Sequence, residues 1–339
     1  MYSIKFIVPY FTCGKGRLHP MTQLWLDSCG YNSTVDFLLV TDCDVSQFDF
    51  PRNVEVLKIT FESMKKKIQN IFDFEITLNS PYKLCDYKPT YGEVFEEELK
   101  KFDYWGFCDI DLIFGNIRKF LNDEILEKYD RILTHGHCSI FRNTAAVNKG
   151  YRSLDPKGCM NFRSVYSSDK LWAFDEWALH NGGGYAEIQK RNGIVMYNAP
   201  IIADIQIDRF SLHTVCEEID ENQKCAHNRL FHIQKGKVED FYIVRNNVKT
   251  TEYLYVHFQQ RKLDFISTID KKDYLVVPPN KAVSRNNLQL TKDNIKKLTQ
   301  GNVFCWNVKG QLKRLVYMMY LKIKSSIPFV ENLKNIIMR

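Results

Sequence analysis

The sequence predicts an α/β domain built on a largely parallel sheet. Three observations predict it. Short apolar runs alternate with stretches of helical spacing through the first 145 residues. The early runs stop at proline or acidic residues, at Pro9, Asp42 and Asp109. The chain has 339 residues, 45% apolar and 14% aromatic, enough for one large domain with additions or for two domains, and too apolar for disorder.

Taken in order, Ser3–Tyr10 reads as a buried strand ended by Pro9, and Leu18–Cys29 as a helix. Val35–Thr41 is a second strand, stopping at Asp42-Cys43-Asp44, and Val54–Ile59 a third. Ser63–Phe72 is helical. Tyr91–Phe102 carries apolar residues at 91, 94, 95, 99 and 102, which is helical spacing, and Tyr104–Cys108 is a strand. Ile117, Phe120, Leu121, Ile125, Leu126 and Tyr129 step as one helix; Arg131–Thr134 and His137–Phe141 are strands. Beyond residue 150 the pattern is less regular. Gly182-Gly183-Gly184 marks a loop, and Gln234–Lys237 a hairpin turn with Asp240–Val244 as its second arm. Tyr253–Phe258 is a late strand, and the polar stretch Ala282–Thr299 links the domain to a tail. In open sheets of this kind ligands bind beyond the carboxyl ends of the strands, so Pro9-Tyr10-Phe11, Asp42 and Asp109 are expected along one edge.

Ten cysteines, none in a C-x-x-C pair and most within apolar runs, read as reduced buried thiols rather than a disulfide or zinc framework. That usage and the lack of a signal peptide suggest a cytoplasmic protein. The net charge of +7 is uneven: residues 309–339 hold five Lys, two Arg and one Glu, and the rest is nearly neutral. A nucleic-acid surface is therefore not indicated for the main body.

The motif that carries chemistry is Asp109-Ile110-Asp111, set in Tyr104-Trp105-Gly106-Phe107-Cys108 on one side and Leu112-Ile113-Phe114-Gly115 on the other. Residues i and i+2 of a strand share a face. Carboxylates inside apolar sequence need a partner, and a hard divalent cation takes oxygen ligands. Two exposed turn acids, or a buried acid paired with Arg or Lys, are the alternatives. A second segment ends an apolar run with His257, followed by Gln260-Arg261-Lys262. Imidazole there completes a metal site begun by Asp109 and Asp111, a mixed O/N set leaning toward Mn²⁺ over Mg²⁺, with Arg261 or Lys262 neutralising phosphate oxygens. A satisfied core histidine is the alternative. In Pro81–Pro89, a loop held by two prolines, Lys88 suits a phosphate and Asp86 a sugar hydroxyl; a rigid surface turn is the other reading. Asp175-Glu176, at the start of a short helix, either caps that helix or faces an acceptor hydroxyl.

These four segments, in this order, resemble the GT-A glycosyltransferases, and in particular an uncharacterised bacterial glycosyltransferase-like group with a P-Y-K-L-C-D-Y-K-P-like stretch, a W-G-x-C-D-x-D-x-I-F-G core and a late H-F-x-x-R-K. The resemblance covers roughly residues 1–265. It implies a GT-A, Rossmann-like, mostly parallel sheet with helices on both faces. The domain would span 1–285, with a nucleotide-binding half at 1–145, an acceptor-side half at 146–285 and a helical basic tail at 286–339. It implies Asp109 at the donor ribose and the metal, Asp111 and His257 as metal ligands, Pro9, Tyr10 and Phe11 seating uracil, and Asp175 and Glu176 on the acceptor side. The late histidine resembles that of retaining, UDP-sugar-binding members, which follow it with a Gly and a Lys-Pro-Trp.

The expected function is a metal-dependent hexosyl transfer from a UDP-sugar to a glycan or lipid-linked glycan in bacterial surface polysaccharide synthesis. The alternatives are a sugar nucleotidyltransferase, for which Cys13-Gly14-Lys15-Gly16 would have to serve as phosphate loop, and a non-catalytic membrane-associated glycan-binding protein. In the tail, Leu312, Leu315, Val316, Met319, Ile323 and Ile327 step at helical intervals among Lys and Arg. Such a helix either lies on an anionic membrane at the inner face of the cell or packs on the domain.

Overall fold

The computed structural model describes residues 1–14, 16–153, 159–207, 209–215, 223, 226, 228–259, 261–265, 270, 272–301 and 312. The chain divides into two units, Met1–Ile201 and Ile202–Arg339. It is a mixed α/β protein. The expected tail helix lies outside the described residues, apart from Leu312.

The first unit holds strands β1 (Ile4–Tyr10), β2 (Asp36–Thr41), β3 (Val54–Lys58), β4 (Tyr104–Cys108), β5 (Leu112–Phe114), β6 (Arg131–His135), β7 (Cys138–Arg142) and β8 (Met196–Tyr197). Seven of them form one sheet in the order β3-β2-β1-β4-β7-β6-β8. Strands β3, β2, β1 and β4 run parallel, and β7 enters antiparallel between β4 and β6. The central strands are buried along nearly their whole length, which is why they read as unbroken apolar runs rather than as alternation. Because β2, β1 and β4 are parallel neighbours, Asp42, Tyr10 and Asp109 emerge at the same sheet edge.

Two helices of this unit bury one face each: α1 (Thr22–Gly30), burying Leu24, Trp25, Leu26 and Cys29, and α2 (Phe61–Gln69), burying Phe61, Met64 and Ile68 at helical spacing. The Thr60 side chain accepts the Ser63 N–H, so α2 starts before the expected Ser63. Two long expected helices are broken. Tyr91–Val94 and Glu96–Leu99 are separated at Phe95, and Ile117–Phe120 and Asp123–Lys128 at Leu121. In the second case Asn116 and Asn122 each cap a separate segment, and a cap in mid-pattern outweighs the apolar spacing. The Pro81–Pro89 stretch is likewise a run of short helical turns, Pro81–Lys83, Leu84–Tyr87 and Lys88–Thr90, rather than a loop.

The second unit holds β9 (Ile202–Asp204), β10 (Arg229–Gln234), β11 (Lys237–Val244), β12 (Asn247–Tyr253), β13 (Tyr255–His257), β14 (Asp264–Phe265), β15 (Asp273–Val277) and β16 (Lys281–Ser284). A mainly antiparallel sheet runs β12-β11-β10-β15-β16-β14. The hairpin at Lys235-Gly236 is the expected one. The single late strand is two: Tyr253 closes β12, and Tyr255–His257 pairs parallel with β9. Ala282–Thr299 is not a linker. It supplies β16 and a helix at Lys292–Thr299, whose Ile295 packs with Leu230, Leu275 and Val277. Most of its polar residues lie on the outward side of these short elements or in the connection between them, a composition that does not separate it from a linker.

Candidate functional site

Strand β4 delivers the acidic motif. Gly106 is required there by close approach: a Cβ would lie 2.8 Å from the Ser139 carbonyl oxygen of β7 and 2.9 Å from the Phe6 ring. Asp109 follows the strand; its N–H donates to the His137 carbonyl (2.9 Å), and its Oδ1 accepts from Lys88 Nζ (2.9 Å). The same ammonium donates to the Gly136 carbonyl (2.5 Å) and lies 3.8 Å from Asp175 Oδ2. Burial opposes the charge on Lys88, but Asp109, Cys85 and Asp175 outweigh it and hold its pKa well above the ordinary lysine value. Asp175 is buried, and desolvation pushes its carboxyl up to about 7, Lys88 opposing and Glu176 adding to the rise. The exposed Glu176 accepts the Gly136 N–H at 3.0 Å.

Gly136 is therefore the hinge of this cluster. Its carbonyl meets Lys88 and its N–H meets Glu176; a Cβ would lie 2.8 Å from Asp175 Oδ2 and closer still to Glu176 Oε1. It sits in a turn, His135-Gly136-His137, whose two imidazoles stack with centroids 5.1 Å apart and planes 14° apart. The register of β6 against β7 shifts between Ile132 and His135, and Leu133 has a left-handed φ of 63°. Bulges of this kind re-aim side chains beside sites. Buried Arg131 holds the bulge, donating to the Leu133 carbonyl (3.1 Å), Gln189 Oε1 (2.8 Å), Ser139 Oγ (3.2 Å) and the Asp175 carbonyl (3.2 Å).

Three segments singled out from sequence thus converge within the first unit: Lys88, Asp109 and Asp175-Glu176. The acid pair does not begin a helix. It lies in a turn between two left-handed alanines, Ala173 (φ 53°) and Ala178 (φ 41°). Asp86 does not join them: it is wholly buried, paired with Lys83 at 2.8 Å, and its oxygens accept backbone N–H groups of Trp172 and Phe174, which leaves none exposed to a sugar. On the same sheet edge, half-buried Tyr10 stands near Asp111; burial foremost, then Cys43 and Asp111, raises its pKa. Pro9 is half-buried in β1, whereas Phe11 is core, its ring 5.8 Å from that of Phe61, and offers no face to a base. Asp42 closes the following loop, accepting the Thr12 and Gly14 N–H groups at 2.9 and 3.0 Å.

In the second unit His257 is buried, and its Nδ1 lies 2.7 Å from Asp204 Oδ1, its register partner on β9. Gln259 donates to the same oxygen at 3.1 Å. An Nδ1–H held by carboxylate makes Nε2 the lone-pair atom of the ring, the tautomer a metal-ligating histidine uses. Arg261 is structural: buried, it donates to the carbonyls of Pro279 (2.6 Å), Gln206, Arg209 and Ser211. Lys262 is exposed. Asp204, Arg131 and the His-Gly-His turn escaped sequence reading. Only the last had a local signal, two histidines about a glycine between strands.

Residues 6–286 match a family of unknown function (DUF6625), and the chain belongs to that family. No curated protein matches. Among solved structures, the chain is similar to mouse xyloside xylosyltransferase 1 in its apo form, at 7% identity and TM-score 0.34, over 60% of this chain and 88% of that one. It is also similar to the galactosyltransferase LgtC in complex with donor and acceptor sugar analogs, at 9% identity and TM-score 0.34 over 59% and 75%, and to an active-site mutant of LgtC, at 10% identity with the same coverage and TM-score.

Proposed function

We propose that this protein is a metal-dependent glycosyltransferase that moves a hexosyl group from a nucleotide-sugar, UDP-linked, to a glycan acceptor. The observation that carries this reading is the gathering of Lys88, Asp109 and the Asp175-Glu176 pair around Gly136, beside the carboxyl end of a parallel strand. The donor set suits a divalent ion: Asp109 and Asp111 offer hard carboxylate oxygens, and His257, its tautomer held by Asp204, is the proposed third ligand, favouring Mn²⁺ over Mg²⁺. When bound, the ion would neutralise charge on the departing diphosphate. Exposed Lys262, rather than Arg261, is the cation proposed for the phosphate oxygens. Tyr10 borders the nucleotide side together with Pro9. Glu176 is exposed and is the acid proposed to meet the acceptor hydroxyl. Asp175, buried against Lys88, fixes the position of its neighbour.

Calorimetry with UDP tests this. Binding that requires Mn²⁺ and is lost in Asp111→Asn supports it; equal affinity without metal, or in that variant, overturns it. A screen of nucleotide sugars then names the donor and, from the product anomer, the retaining or inverting course. The nucleotidyltransferase reading is disfavoured by the Gly14 and Gly16 N–H groups, which already donate to Asp42 and Thr12 and so do not form a phosphate cradle. A lipid-linked acceptor, a role in bacterial surface polysaccharide synthesis and peripheral membrane attachment through residues 309–339 belong to the same proposal. No helix among the described residues is long and apolar enough to cross a membrane. Liposome flotation of the full chain against one ending at Val308 tests the attachment, and equal flotation overturns it.

A further inference from the structure

We infer that the buried Lys83–Asp86 ion pair is a positioning device for the Asp175-Glu176 acids, an inference that rests on the function proposed above. Both partners are buried, Asp86 wholly and Lys83 at 2% exposure, so neither meets substrate. A buried ion pair is not a strong source of stability, since desolvation offsets the attraction and apolar residues of similar volume serve as well. What this pair does is visible in where its hydrogen bonds end. Asp86 Oδ1 accepts the Phe174 N–H (2.9 Å), and both of its oxygens accept the Trp172 N–H (3.1 and 3.3 Å). Lys83 Nζ donates to the Val165 carbonyl (3.2 Å) and the Lys170 carbonyl. Every one of these bonds lands on the segment that runs into Asp175.

That segment needs holding. Ala173 and Ala178 bracket the acids in left-handed backbone, which alanine disfavours and which persists only where the surroundings over-determine it. Asp86 grips the N–H groups on either side of Ala173. From the opposite side the first N–H groups of helix Tyr185–Arg191 take the carbonyls: Tyr185 donates to Phe174 (2.7 Å) and Ala186 to Glu176 (3.2 Å). The strap between is fixed at both edges, and Glu176 is delivered to Gly136. Releasing the Asp86 edge lets the left-handed turn relax and carries the acids away from Lys88 and Gly136. A displacement of about 1 Å there costs on the order of 100-fold in rate.

The experiment uses the full chain and the Asp86→Asn variant. The expected result is Mn²⁺–UDP affinity within about twofold of wild type, an unchanged donor KM, a kcat about 100-fold lower, and Trp172 and Phe174 amides that exchange with solvent at least about tenfold faster while β4 amides keep their protection. Wild-type exchange at those two amides, or a kcat reduced only in proportion to the unfolded fraction, overturns the inference. If Asp86→Asn does not fold, the double variant Lys83→Met/Asp86→Leu replaces the pair by apolar volume. It is expected to fold and still lose kcat, and wild-type turnover in it overturns the inference equally. Failure of the functional reading is distinguishable: the wild type then binds no Mn²⁺–UDP, while the amide exchange still reports on the clamp.

Discussion

Lys88 stands between Asp109 and Asp175, its ammonium 2.9 Å from one carboxylate and 3.8 Å from the other. The two acids are 66 positions apart in sequence and reach one cation because β4 and the 173–178 turn end at the same edge of the first unit. Asp109 is 42% exposed and Asp175 5%, so the lysine matters chiefly to Asp175. Replacing it by methionine leaves a buried acid without its counter-charge. Lys88→Met is expected to raise the Asp175 pKa further, so that the acid takes a proton; the variant should lose more unfolding free energy at pH 8 than at pH 6, read from urea denaturation, with Asp109 contributing little because water screens it.

The raised pKa of Asp175 has a definite sign in stability. Its unfolded value is 3.8 and its folded value about 7, so the folded protein binds this proton more tightly. The group's favourable contribution is complete below pH 4 and is lost as pH rises to 7. Metal-free protein should therefore lose stability between about pH 4 and 7, and Asp175→Asn should remove roughly 3 kcal/mol of that loss. Parallel urea curves at the two pH values, in chelator, measure it. An identical pH slope in the variant would show that Asp175 is ionised throughout.

Gly136 has no strained backbone, so alanine there tests crowding alone. The new methyl would press on Asp175 and Glu176. Gly136→Ala is expected to cost about 1–3 kcal/mol and to lower transfer more than Mn²⁺–UDP affinity. Unaltered turnover would place the acid pair outside the reaction.

Asp204 holds the tautomer of His257. If His257 ligates the ion, Asp204→Asn should weaken Mn²⁺ binding about 10–100-fold, measured by calorimetry, with little change in fold. Unchanged affinity would remove His257 from the ligand set.

Much of this was legible in the chain. The strands of the first unit are short apolar runs because both faces are covered, and Asp109 and Asp111 stood out because acids interrupt such runs only for a reason. The roles of Arg261 and Asp86 were not legible. A cation after a histidine and an acid between lysines suit ligands as readily as backbone, and only burial tells which they serve. Asp204 had no signal, since its partner is a strand neighbour 53 residues away.

The alternation of apolar runs, the acids at strand ends and the class of fold were determined by the sequence alone, because local periodicity and the cost of burying charge act on neighbours along the chain. The tertiary structure decided which charges meet: Lys88 with Asp109 and Asp175, Lys83 and Asp86 with the strap, Arg261 with carbonyls. The physical reason is that desolvation and hydrogen-bond geometry depend on distances in space, and these follow from strand order, which no spacing of residues encodes.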